Sequence, residues 1–309
     1  MSIDISNKLC LNNLNLLSKL RIDYVVIWGH LKHTHTHSYI HDAFHKAFKF
    51  IGVPVYKMYS YDGLIRKKFP PNGLFIFEDQ AKSNLPLQKD LYYISHNSQM
   101  ANLPGIDLSK VIYLDVLSKK AINFSKINDY TFFDNGSRTI FQPWATDLLP
   151  HQITQNPYSH KLESKVAYVG YLSNELKPTF LQLYTIFKRN GIELKLYHRI
   201  SNKKAQRKIQ QSLFTFDIRD KNHLDNDYIS CRIFKNISYG RNVITNSRYI
   251  ANFFESAVLP YASSPNDILE IGINLPEIQS LVSVPIRNEV IYKHTYLSRI
   301  SSLLSVFNA

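Results

Sequence analysis

The sequence predicts an α/β protein built from two consecutive parallel domains with a cleft between them. Three observations lead there. Short apolar runs alternate with stretches whose apolar residues repeat at helical spacing, the pattern of βα units. The chain has 309 residues, enough for two domains of about 150 residues each. Between Gln142 and His160 it carries Pro143, Pro150 and Pro157 and no long apolar pattern, so this stretch reads as an interdomain connection. The expected division is 1–150, 151–288 and a closing helix over 289–309.

Taken in order, Tyr24-Val25-Val26-Ile27-Trp28 predicts a buried strand. A helix follows over 38–51, with Ile40, Ala43, Phe44, Ala47, Phe48 and Ile51 on one face and Gly52 ending it. Strands are expected at 53–59, 73–77, 91–95, 111–116 and 137–141. The second half repeats the alternation. Strands are expected at 166–170, 193–197, 213–217, 242–246 and 257–261. Helices are expected near 175–190, 203–211, 228–239 and 248–255. The last pattern, 289–307, places Leu297, Ile300, Leu303 and Leu304 on one helix face.

Composition narrows the class. Hydrophobic residues make up 44% of the chain, which excludes wholesale disorder. Cys10 and Cys231 allow no disulfide framework and no cysteine zinc site, pointing to a reducing compartment. The opening MSIDISNKLC has no apolar leader core, and Tyr24 to Trp28 falls far short of the roughly 20 residues of a membrane span. A soluble cytoplasmic protein is therefore expected. The net charge of +13 and pI of about 9.5 suit a phosphorylated small molecule, nucleic acid, or peripheral contact with an anionic membrane. The densest basic cluster, Lys203, Lys204, Arg207 and Lys208, reads as a solvated helix face.

In open α/β sheets ligands bind beyond the carboxyl ends of the strands, so the chemistry is sought there. After the first strand comes a histidine-rich segment, with half of the twelve histidines between His30 and His45. Imidazoles ligate zinc or nickel, but the only carboxylate within that segment is Asp42 and no cysteine is near, so no metal is expected. A histidine there suits a general base, and His37, nearest the helix start, is the first choice. Glu78 after the next strand is the second; Asp79, His96 and Asn97 also follow strands. In the second half, Gly170 and Tyr171 follow a strand and open toward a helix, where backbone amides can approach a phosphate. Arg199 and Arg219 follow two further strands, and Arg232 and Lys235 lie one turn apart on a helix. Guanidinium groups at strand ends suit a diphosphate, which they grip bidentately.

The block Arg219…Tyr228-Ile229-Ser230-Cys231-Arg232-Ile233-Phe234-Lys235-Asn236-Ile237-Ser238-Tyr239-Gly240-Arg241-Asn242-Val243-Ile244-Thr245-Asn246 resembles the donor-binding segment of GT-B glycosyltransferases. It is most similar to the CgeB-like, spore-maturation group, with its R-x-F-E-x-x-x-x-G-x-x-(V/L)-(I/L)-T pattern. Phe141 to Asp147, His294 to Ile300 and Thr36 to Ile40 are in keeping with the same group. Asp227 to Arg232 also resembles the D-Y-I-T-E-K donor motif of α1,3-fucosyltransferases, with Cys231 for Glu and Arg232 for Lys. The resemblance implies two Rossmann-like domains facing a cleft. It implies a nucleotide-sugar, GDP- or UDP-linked, bound by Gly170, Tyr171, Arg199, Arg219, Tyr228, Arg232, Lys235, Asn236 and Asn246. It further implies a glycan or other hydroxyl acceptor at the N-terminal domain, a last helix packed back on that domain, and no metal. Lys235 stands where the group has Glu, and an ammonium cannot accept the ribose hydroxyl hydrogen bonds a carboxylate would. With Arg232 in a solvated cleft, folding should barely depend on it.

Two rival readings come from other features. The histidine cluster and Asp225-Asn226-Asp227, of D-x-D form, suit a metal-dependent transferase or hydrolase. The charge and the 38 Tyr and Phe side chains suit a nucleic-acid-binding protein. Most of those aromatics fall at apolar core positions such as Phe44, Phe48 and Phe234, which favours the transferase reading, with no nucleic acid expected.

Overall fold

The computed structural model describes residues 2–29, 36–59, 68–78, 85–96, 105–120, 123–155 and 164–307. The chain divides into two compact units: residues 3–143 with 296–309, and residues 144–295. The boundaries thus fall at Pro143/Trp144 and Thr295/Tyr296, against the 150/151 and 288/289 read from the sequence. No helix among the described residues is long and apolar enough to cross a membrane.

The first unit opens with helix α1 (Ser2–Leu20), which sequence reading passed over because its buried Leu17 and Leu20 are diluted by exposed Leu11 and Leu14. Strand β1 (Tyr24–Gly29), helix α2 (Thr36–Ile51), and strands β2 (Val55–Tyr59), β3 (Gly73–Glu78), β4 (Tyr92–His96) and β5 (Val111–Asp115) follow. A polar hairpin, β6 (Ser125–Asn128) and β7 (Thr131–Asp134), then precedes β8 (Thr139–Phe141). The hairpin is absent from the sequence reading because β6 is exposed along most of its length and carries no apolar signal.

These strands form one mostly parallel eight-stranded sheet, ordered β2-β1-β3-β4-β5-β8-β7-β6, with only the β6–β7 and β7–β8 pairs antiparallel. An α/β fold is thereby shown. β3 is buried end to end and β1 from Val25 on, as parallel strands covered on both faces must be. Gly73 opens β3 because the ring of its register partner Tyr24 lies across that position; any Cβ there would strike the ring. The C-terminal helix Tyr296–Phe307 belongs to this unit. Its Tyr296 meets Phe44 of α2 edge-on at 4.7 Å, and its Arg299 is buried, donating to Pro143 O (2.7 Å) and stacking on Tyr130.

The second unit contains α3 (Pro150–Thr154), β9 (Lys165–Val169), α4 (Lys177–Arg189), β10 (Glu193–Tyr197), α5 (Asn202–Gln210), β11 (Thr215–Asp217), α6 (Lys221–Asp225), α7 (Cys231–Ser238), β12 (Val243–Thr245), α8 (Arg248–Ala251) and α9 (Pro265–Lys293); the C-terminal helix is then α10. β9 pairs parallel with β10, and β11 parallel with β12. The two pairs are tied where Leu213 N donates to Lys165 O (2.9 Å) and Ala167 N to Ser212 Oγ (3.0 Å). Tyr168, Phe180, Leu183, Phe187, Phe214 and Phe216 fill the core beneath them.

The single helix expected over 289–307 is two helices. α9 runs to Lys293, and the chain leaves helical geometry at His294 before α10 begins at Tyr296. α9 itself was hidden in the sequence by Pro276 and Pro285, residues that ordinarily stop or kink a helix. The break at His294 is fixed by packing. Its imidazole sits among Phe234, Phe253 and Phe254 with ring centroids 5.0–5.6 Å away. Glu289, one turn earlier, accepts hydrogen bonds from the backbone N–H of Glu255 (3.2 Å) and Ser256 (2.9 Å).

Burial alone would raise the Glu289 pKa, but His294, Ser256 and the Glu255 amide outweigh it and hold the carboxyl down at about 2. Its folded value lies below its ordinary 4.5, so this contribution to stability is complete above that value and fades as pH falls from about 4.5 toward 2. Glu289→Gln should be less stable than the native protein at pH 7, by about 1.5–3 kcal/mol for charged hydrogen bonds. Denaturant melts across pH 7 to 2.5 should show that gap closing below pH 4.5; a gap independent of pH would remove Glu289 from this role.

Candidate functional site

In the second unit the site begins with strand ends. β9 stops at Val169, and Gly170 turns the chain with φ +147°, a region side-chain-bearing residues rarely adopt. β11 stops at Asp217, and Arg219 follows two residues later. Ser230 caps α7, accepting from Arg232 N at 3.2 Å. Parallel strands, a turn and a capped helix thus bring Gly170, Asp217, Arg219, Ser230 and Arg232 together.

Asp217 is fully buried and holds both arginines. Arg219, 8% exposed, donates through Nε to Asp217 Oδ2 (2.7 Å) and through Nη2 to Asp217 Oδ1 and Ser230 Oγ. Arg232 donates through Nε to Val169 O (3.1 Å) and through Nη1 to Asp217 Oδ1 (2.8 Å) and the Tyr168 hydroxyl. Its guanidinium also lies on the Tyr168 ring, 4.2 Å from the centroid. Burial works against the charge of Arg219, but the Asp217 carboxylate more than offsets it and raises the pKa.

Each guanidinium has five N–H donors. Arg219 Nη1 and Arg232 Nη2 make no hydrogen bond among the described residues, while the rest of each group is locked. Two fixed cationic ends beside one carboxylate leave a net positive site that can take an anion without rearranging. Arg232 Nη2 also rests over Gly170, where any Cβ would collide with it.

Other predicted residues have settled roles. Asn246 receives Arg219 N (2.8 Å) and donates to Arg219 O (3.0 Å), so its amide fixes the Arg219 backbone rather than standing open for a ligand. Tyr228 is half-buried beside Arg219, 5.6 Å from its guanidinium; desolvation first, opposed by Arg219 and a Trp144 hydrogen bond, moves the phenol to about 12, so it stays protonated at neutral pH. Asn236 is buried on α7, and Lys235 extends over the Tyr239 ring at 6.0 Å. Tyr171, 65% exposed, leans on His198 at 5.8 Å, and Arg199 is exposed with φ +55°. Neither is joined to the Asp217 cluster by a described contact. Lys203, Lys204 and Arg207 are exposed on α5, whose buried face is Ala205 and Ile209.

Sequence reasoning missed Asp217 and Tyr168. Asp217 ends the strand that pointed to Arg219, so the strand-end rule could have found it. Tyr168 carried no signal, being one more aromatic in a core strand. Arg232 is also more embedded than expected: only 13% of its side chain is exposed, so it does not project into a solvated cleft.

In the first unit, Glu78 ends β3 and is fully buried, with His96 as its register partner at the end of β4. His37 lies in the first turn of α2, but its side chain lies outside the described residues, as do Asp79, Asn97, His30, His33 and His35. No group of three metal-ligating side chains is found among the described residues.

No protein-family profile and no curated protein matches the sequence. Among solved structures the chain is similar to the ligand-free, open structure of CD0873, a substrate binding protein with adhesive properties from Clostridium difficile, at 11% identity and TM-score 0.22 over 84% of this chain and 85% of that one. It is also similar to the C-terminal domain of glucosamine-fructose-6-phosphate aminotransferase from Francisella tularensis, at 11% identity and TM-score 0.22 over 98% and 93%. At such scores neither likeness bears on fold or function.

Two substitutions test the cluster. Arg232→Ala leaves buried Asp217 short of a charged partner and should cost about 1.5–3 kcal/mol of stability by denaturant melt. That reverses the sequence expectation that folding barely depends on it, and native stability would refute the embedded placement. Gly170→Ala imposes a strained φ and pushes on Arg232, so about 1–3 kcal/mol should be lost there too. In the double variant the two losses should be less than additive, because both act through one guanidinium.

Proposed function

We propose that the chain is a glycosyltransferase of GT-B type, two Rossmann-like domains facing a cleft, moving a sugar from a nucleotide-sugar to a hydroxyl acceptor. The observation that carries this reading is the pair of open guanidinium ends, Arg219 Nη1 and Arg232 Nη2, fixed by Asp217 at the carboxyl ends of parallel strands. In glycosyl transfer the bond from the anomeric carbon to the phosphate oxygen breaks, and negative charge grows on the departing diphosphate. Fixed cations stabilise that charge most when they need no reorganisation. Gly170 makes room for the Arg232 guanidinium, and the capped start of α7 adds a favourable dipole. The donor is read as GDP- or UDP-linked, and no metal is assigned to it. The acceptor hydroxyl is assigned to the first unit, with Glu78 as the described residue suited to receive its proton.

The deciding measurement is a thermal-shift screen against UDP, GDP, CMP and their sugars. One nucleoside diphosphate should stabilise the protein, by about 2.7 kcal/mol at a hundred times its Kd. Calorimetry should show that binding weakened roughly ten- to a hundred-fold in Arg232→Lys, because an ammonium cannot keep the bonds to Val169 O and Asp217 while offering a donor where Arg232 Nη2 stands. Transfer should survive EDTA. Stabilisation by none of these nucleotides would end the donor reading; activity lost to EDTA and restored by Mn²⁺ would favour the D-x-D alternative.

A further inference from the structure

Beside the arginine cluster of the second unit stands a histidine that the donor reading does not use. His223 lies in the first turn of α6, and Asp220 caps that helix by accepting His223 N at 3.0 Å. The same carboxyl oxygen, Oδ1, lies 2.7 Å from His223 Nδ1, an ion-pair contact when the ring is charged. The other oxygen, Oδ2, accepts from Ser173 Oγ at 3.4 Å. The His223 ring lies against the Tyr228 ring, with centroids 4.7 Å apart and planes 33° from parallel.

These contacts tie His223 to the cluster from two directions. Tyr228, against which it rests, has the Arg219 guanidinium 5.6 Å from its ring centroid. Asp220 directly follows Arg219. Through Ser173 it holds the far end of the turn whose first residue, Gly170, lies under Arg232 Nη2. That turn follows β9, and the segment carrying Asp220 and His223 follows β11. Both therefore lie at the carboxyl ends of parallel strands, where such sheets take ligands.

The imidazole is neither sealed in nor fully engaged. Its side chain is 35% exposed, and Nε2 makes no hydrogen bond among the described residues, while Nδ1 is closed off against Asp220. Asp220 needs only the His223 backbone to cap α6, so the ring is not required to satisfy the helix end. Imidazoles change charge between about pH 5 and 8. A charged ring has an N–H at each nitrogen. One meets Asp220, and the other is left for an anion. Charged groups on the surrounding elements are Asp220, the mutually paired Lys221 and Asp225 of α6, Arg219 and Asp227 before α7, Arg232 on α7, and Glu175 in the connection after β9.

We infer that His223 is a third cationic contact of the anion site, its charged ring donating from Nε2 to the diphosphate held by Arg219 and Arg232. The identity of that ligand rests on the transferase reading. The consequence is a proton linkage. A diphosphate esterified at both ends keeps its two negative charges throughout the imidazole range, so a proton taken up on binding goes to the protein. The charged ring attracts the anion, and by reciprocity the bound anion favours the charged ring. Binding therefore strengthens as pH falls.

The test is calorimetry of the full chain with UDP-glucose and GDP-mannose at about pH 8 and about pH 5.5, in buffers of different ionisation enthalpy. A sugar nucleotide that binds should do so about two- to fivefold more tightly at the lower pH, the range for a partly exposed ion pair, with fractional proton uptake. His223→Gln keeps the backbone cap, so its melting curve at the higher pH should match the native one. It should lose both the gain in affinity and the proton uptake. His223→Lys, always charged, should bind at the higher pH as tightly as the native protein does at the lower. A folded His223→Gln protein with native pH dependence and native uptake would overturn the contact and leave the donor reading standing. Binding of neither sugar nucleotide to the native protein at either pH would overturn both.

Discussion

The second unit's site depends on one buried carboxylate. Asp217 has no exposure to water, and its charge is tolerable only because two guanidinium groups close on it. That demand fixes much around it. Arg219 must turn back toward the strand it has just left, so Asn246 holds its backbone and Ser230 its outer nitrogen. Arg232 must reach from α7 to β9, where Val169 O and Tyr168 receive it and Gly170 leaves room. The structural cluster and the proposed binding site are here one object. The carboxylate holds each guanidinium by one side and leaves one nitrogen of each, Arg219 Nη1 and Arg232 Nη2, without a hydrogen bond among the described residues.

That arrangement suits the anion proposed for the site. A surface arginine loses side-chain entropy each time it grips a ligand. These two have lost it on folding, so the diphosphate proposed for this site would meet donors already in place. The cost is that the same residues cannot be removed cleanly. Truncating Arg232 would remove the proposed ligand contact and leave buried charge behind, so binding and folding must be measured together.

The first unit solves a different problem with similar parts. Its parallel strands are apolar nearly to their ends, and polar groups enter at the last residues, Glu78 and His96. Because paired positions on parallel strands face the same way, a single register relation puts a carboxylate beside an imidazole, and α2 supplies the second imidazole. Both units therefore place polar groups at the ends of apolar parallel strands, an arginine–aspartate cluster in one and a histidine pair with a carboxyl group in the other.

The α/β class was legible in the sequence because it is written in periodicity. The runs at Tyr24–Trp28 and Glu193–Tyr197 and the amphipathic face from Ile40 to Ile51 each declare their own local structure. Arg219 and Arg232 could be named from strand ends and helix position. Elements that depend on packing could not. α1 and β6 lack an apolar signal of their own, α9 runs through Pro276 and Pro285, and the break at His294 follows from three phenyl rings distant in sequence. The roles of the site residues were likewise decided by tertiary structure. Asn246 and Arg219 are 27 residues apart, and His41 and His96 are 55 apart. Local sequence fixes which groups a segment offers, but only the folded chain fixes which hydrogen-bonding partners meet and which donors remain open.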